Sequence, residues 1–149
     1  MPNSKPKKVI TMLLSDREAW FIDLISETVH QAAKSQVRVI AYTPKTNDED
    51  AVFQTASRHN WDFAVLFLNN IHYASGNRDA NAIAHESIDF VMKMAVVFEK
   101  PIFALHGLNE ESGYEARLRQ AGAVAVYGIP FPVDAMVPAL RKYSRITMG

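Results

Sequence analysis

The chain has 149 residues, 48% hydrophobic and 21% charged, which suits one domain with a real core and excludes disorder or a disulfide scaffold. Its 16 basic and 16 acidic residues cancel, against the basic excess of a nucleic-acid module and against attraction to anionic membrane surfaces. With no cysteine there are no disulfides, thiolate metal sites or cysteine nucleophiles, and a reducing cytoplasmic setting is expected.

Residues 1–8 read as a flexible leader, 9–143 as one α/β domain and 144–149 as a tail or linker. The first apolar run, Val9 to Leu14, is too short for the centre of a signal peptide or for a membrane helix of ~18 apolar residues. It reads instead as a strand. Arg17 to Lys34 follows as an amphipathic helix, with Trp20, Phe21, Leu24, Ile25 and Val29 on its apolar side. A second strand, Val37 to Tyr42, leads to a weaker helix from Asp48 to His59, with Val52, Phe53 and Ala56 on one face. The third strand is Phe63 to Leu68. A polar connection from Asn69 to Asn81 then exceeds the usual 4–6 residues of a loop. Ala82 to Phe98 is a strong helix, with Ala84, Ile88, Val91, Met92, Ala95 and Val96 in its inward stripe and Met94 in the core. The fourth strand, Ile102 to Leu105, precedes a short helix from Glu110 to Gln120 that Asn109 is placed to cap. The fifth, Val124 to Tyr127, precedes a helix from Pro132 to Tyr143 that turns Val133, Met136, Val137 and Leu140 inward.

Five nearly continuous apolar strands alternating with helices predict a three-layer α/β/α domain around a parallel sheet covered on both faces. The flavodoxin-like order 2-1-3-4-5 is the expected topology. Ligands of such sheets bind outside the carboxyl ends of the strands. That selects Ser15 and Asp16 after the first strand, Asn69, Asn70, His72 and Ser75 after the third, and His106 after the fourth. Each has a plainer reading. Ser15 or Asp16 caps the first helix, the asparagines serve a turn, and His106-Gly107 leaves its strand. His85 and Asp89, four apart on a helix, read as a solvated pair rather than metal ligands, while His30 and His59 sit near helix ends. Phosphate-binding glycine motifs and the G-x-S-x-G elbow are absent, so no cofactor and no metal are expected.

The stretch from Ala121 to Tyr143, A-G-A-V-A-V-Y-G-I-P-F-P-V-D-A-M-V-P-A-L-R-K-Y, resembles the end of a response-regulator receiver domain. The strands at Val9 to Asp16, Trp61 to Leu68 and Lys100 to His106 are similar to the receiver's first, third and fourth. The resemblance implies a phosphoacceptor aspartate at the end of the third strand, where this sequence has Phe67, or Asn69 if the register slips. It implies an acidic cluster for magnesium, where only Asp16 stands. The Ser/Thr after the fourth strand is replaced by His106, and the lysine before Pro130 by Ile129. Such a relative is a degenerate receiver, a pseudo-receiver.

Two functions follow as expectations. The first is a non-catalytic signalling module in two-component regulation that is not phosphorylated by the aspartyl route. It meets a protein partner or a second copy through the last helix and fifth strand, on a face offering Tyr114, Arg117, Tyr127, Met136, Arg141 and Tyr143. No contact with nucleic acid or membrane is expected. The alternative is a small enzyme or ligand-binding domain that uses Asp16, His72 and His106 as acid–base groups, beside Asn69 and Ser75, with the loop from Asn70 to Asn81 as a lid.

Overall fold

The computed structural model describes residues 9–15, 19–33, 36–42, 49–68, 80–107, 113–128 and 133–144. In chain order the elements are β1 (Val9–Ser15), α1 (Ala19–Ala32), β2 (Gln36–Tyr42), α2 (Glu49–Arg58), β3 (Phe63–Phe67), α3 (Ala80–Phe98), β4 (Ile102–His106), α4 (Tyr114–Ala121), β5 (Ala125–Gly128) and α5 (Val133–Ser144). All neighbouring strands are parallel, in the order β2-β1-β3-β4-β5 expected from the sequence. None of the described helices is long and apolar enough to cross a membrane.

The sheet divides the apolar interior in two. Leu13, Ala64, Leu66, Ile102, Ala104 and Val126 face α2, α3 and α4. Ile10, Met12, Phe63, Val65, Phe103 and Leu105 face α1 and α5. Because strand side chains alternate, each apolar run supplies both layers, which is why the runs are continuous rather than two-periodic. Asp62 closes the near end of β3: its Oδ2 accepts the Thr11 N–H at 2.7 Å, and its own N–H donates to the Thr11 carbonyl at 2.7 Å.

Two helices differ from their expected faces. On α1 the buried residues are Ile22, Ile25 and Val29, whereas Trp20 and Leu24 are exposed. At about 100° per residue these are two separate apolar stripes on opposite sides of one helix, and the sheet covers only one. On α3 the inward side is Ala84, Ser87, Ile88, Val91 and Met94, while Met92 and Val96 point outward. Met92 and Val96 lie among His85, Asp89 and Lys93 on the outer side, so apolar spacing alone does not mark the buried face. The fourth helix starts at Tyr114 rather than Glu110, behind a left-handed Gly113 (φ 74°); Asn109 lies outside the described residues.

α4 ends at Gly122 (φ 126°), whose N–H donates to the Arg119 carbonyl, and a Cβ there would collide with Ala95 of α3. Both the backbone angle and the close approach require glycine. Gly122 therefore has a packing role.

Candidate functional site

Parallel pairing brings the ends of four strands to one edge. Ser15 lies opposite Leu66, Phe67 opposite Leu105, and His106 opposite Gly128. Of the candidate side chains at this edge, His106 is described; Asp16, Asn69, Asn70, His72 and Ser75 lie outside the described residues, as does the side chain of Ser15.

β3 ends in apolar side chains. Phe67 is half-buried against the layer under α1 and α5, and Leu68 is buried in the other layer. β4 ends in His106, only 1% exposed, with its Nε2 3.1 Å from Oε2 of Glu115. The Tyr114 ring meets the imidazole edge-on at 5.0 Å, and the Tyr114 hydroxyl lies 2.6 Å from Ser87 Oγ. Ser87 Oγ also lies within hydrogen-bonding distance of the Ile83 and Ala84 carbonyls. The first turn of α4 is thus tied to the end of β4 through Glu115 and to the middle of α3 through Tyr114. Polar groups this deeply buried cost several kcal/mol unless paired, which fixes their mutual geometry.

Sequence reasoning singled out His106 but missed Glu115 and Ser87. The available signal was the chemistry of a buried imidazole, which needs a partner; nothing in the sequence said which acid supplies it. Among the described residues no three His, Asp or Glu side chains gather as metal ligands.

On the proposed partner face the structure makes two corrections. Tyr114 is buried at 1% and Met136 is fully buried, so neither reaches a partner. Their aromatic and thioether bodies fill the two apolar layers instead. Arg117 and Arg141 are exposed, and Arg117 Nη2 lies 3.2 Å from His85 Nδ1. Tyr143 is partly exposed, stacks edge-on toward Phe103 and lies beneath the Lys142 ammonium. Tyr127 is half-buried and its hydroxyl donates to the Ala135 carbonyl at 3.3 Å. Its phenol pKa is raised above the usual value by burial, opposed by Arg119 and reinforced by Tyr143.

No family model matches the sequence, and no curated protein matches it. Solved structures do match. A response regulator from Thermotoga maritima superposes with TM-score 0.67 at 15% identity, over 93% of this chain and 99% of that one. The receiver domain of a Francisella response regulator gives 0.67 at 12% identity, over 91% and 97%. RcsB from Salmonella enterica serovar Typhimurium, solved on promoter DNA with a phosphomimetic, gives 0.66 at 12%, over 89% of this chain and 67% of that one. The chain has the receiver fold.

A receiver's magnesium takes hard oxygen ligands, usually including carboxylates. The described strand ends offer Phe67, Leu68, an imidazole committed to Glu115, and Gly128. These residues do not fit that ion.

Proposed function

We propose that the chain is a receiver-fold regulatory module that acts by protein–protein contact and takes no phosphoryl group on an aspartate. The observation that carries the reading is the end of β3. Phe67 and Leu68 close it with hydrocarbon, and neither has an oxygen to form an acyl phosphate. The clasp of His106 by Glu115 and Tyr114 supports it, because it occupies the end of β4 with internal contacts. The zero net charge and absent cysteines favour a cytoplasmic protein whose partners are proteins. The contact face is the outer side of α4, β5 and α5, with Arg117, Tyr127, Arg141 and Tyr143.

The test is to incubate the full chain with acetyl phosphate and magnesium and follow its intact mass. The expected spectrum is unchanged. An adduct of one phosphoryl group, labile to hydroxylamine, would overturn the reading. The face is tested by Arg141→Glu, expected to weaken association with a partner or second copy by more than tenfold, as charge reversal at an interface arginine does. Association indifferent to that reversal would remove this face from the proposal.

A further inference from the structure

β2 ends the sheet on one side, and its whole length pairs with β1 on the other. The register says which of its backbone groups face out. The Thr11 carbonyl accepts the Asp62 N–H on the β3 side, so Thr11 and Leu13 turn their backbone polar groups toward β3, and Met12 turns its own toward β2. Met12 lies opposite Val39, and a parallel ladder bonds it to the residues on either side of Val39. Arg38 and Ile40 therefore face β1, while Val37, Val39 and Ala41 point their N–H and C=O groups away from the sheet. An observation outside the ladder agrees. The Val37 carbonyl lies 2.6 Å from Nε2 of His30, in the last turn of α1. A carbonyl only accepts, so the imidazole donates. Among the described residues no hydrogen bond reaches the outward groups of Val39.

We infer that His30 guards this edge, blocking antiparallel pairing of β2 with β2 of a second copy of the chain. An open edge strand is a template for another strand, and this one is self-complementary. A two-fold axis at Val39 sets Val39 against Val39, Val37 against Ala41 and Arg38 against Ile40. Every outward N–H then meets an outward carbonyl, and the two Val39 residues meet at the axis. Arg38 is exposed but opposes no like charge, so it does not prevent the pairing. His30 does. It holds the Val37 carbonyl that the Ala41 N–H of the second copy needs, and by symmetry it does so at both ends of the pairing. This edge is the far side of the sheet from β5, so the inference does not depend on the α4–β5–α5 face.

Sedimentation velocity of the full chain and residue-level amide exchange, each over a range of concentrations, test the inference, with circular dichroism confirming the fold of each variant. His30→Ala is expected to gain an association that the wild type lacks. As concentration rises, exchange at Val39 and Ala41 in that variant is expected to slow by at least roughly tenfold. In the wild type those two amides are expected to exchange at rates independent of concentration. His30→Gln keeps a donor for the Val37 carbonyl and is expected to behave as the wild type. A His30→Ala chain that sediments as the wild type does, or an association that leaves Val39 and Ala41 unprotected, would overturn the inference. So would protection of these amides that grows with concentration in the wild type, or a His30→Gln chain that associates as His30→Ala does.

Discussion

His106 Nε2 and Glu115 Oε2 lie 3.1 Å apart, joining a side chain that is 1% exposed to one that is 53% exposed. The pair bridges the end of β4 and the first turn of α4. Its two halves are unequal. Removing the acid leaves a buried imidazole short of one partner, while removing the imidazole also leaves a void.

Glu115→Ala is therefore expected to destabilise the fold by roughly 1 kcal/mol, the small size reflecting the exposure of the carboxylate. His106→Ala is expected to cost at least ~2 kcal/mol, because it adds a cavity beside the Tyr114 ring. Urea midpoints of the two variants and the double variant measure this. A Glu115→Ala change as large as His106→Ala would show that the clasp, rather than packing, dominates.

Asp62 stands just before β3, and its carboxylate serves the N–H of Thr11 in β1. Asp62→Ala leaves that donor without its carboxylate and is expected to cost about 1–3 kcal/mol. Asp62→Asn keeps an acceptor oxygen and is expected to lose less. Equal losses for the two would mean that charge matters more than the hydrogen bond.

At Gly122 the expected effect of alanine is severe. A left-handed backbone and a collision with Ala95 act together, for a loss of at least ~2 kcal/mol. Replacing Ala95 by glycine in the same chain is expected to recover the steric part and not the backbone part. Full recovery would assign the whole cost to the collision.

Tyr127 supplies a pH dependence. Burial raises its pKa in the folded protein above 10.0, so folding favours the protonated phenol. The sign follows: this stabilisation is fully present below pH 10 and is lost as pH rises through the folded-state value. In an ultraviolet absorbance titration, Tyr127→Phe is expected to remove the phenolate component that appears above the ordinary tyrosine range. A variant that instead loses a component at the ordinary value would contradict it.

The five strands and their order were legible because a parallel sheet covered on both faces needs continuous apolar runs, and Phe63 to Phe67 and Ile102 to Leu105 have them. α2 and α5 were legible too: Val52 and Ala56, like Met136 and Leu140, sit on single apolar stripes and are buried. α1 and α3 were not, because each carries more apolar residues than one face accommodates. Trp20, Met92 and Val96 follow helical spacing as well as Ile25 and Val91 do, and only the position of the sheet separates them. The site was half legible. Topology brought His106 to the strand edge, but its acid comes from the next helix, and that pairing depends on where α4 begins. The start at Tyr114 is set by Gly113 rather than by a side-chain cap, a signal that a search for Ser, Asp or Asn before a helix passes over.

The sheet that divides the interior also divides its energetics. Ile25 and Leu140 belong to one apolar layer and Met94 and Leu118 to the other, with the strand backbones between them. Packing defects that share no contact add, while those that share a cavity couple. Truncations of Ile25 and Met94 should therefore combine as a plain sum, whereas truncations of Met94 and Leu118, in one layer, are free to interact. Variation on the α3 side is in this sense insulated from the α1 side, and each helical surface is able to change its contacts while the other keeps its own packing.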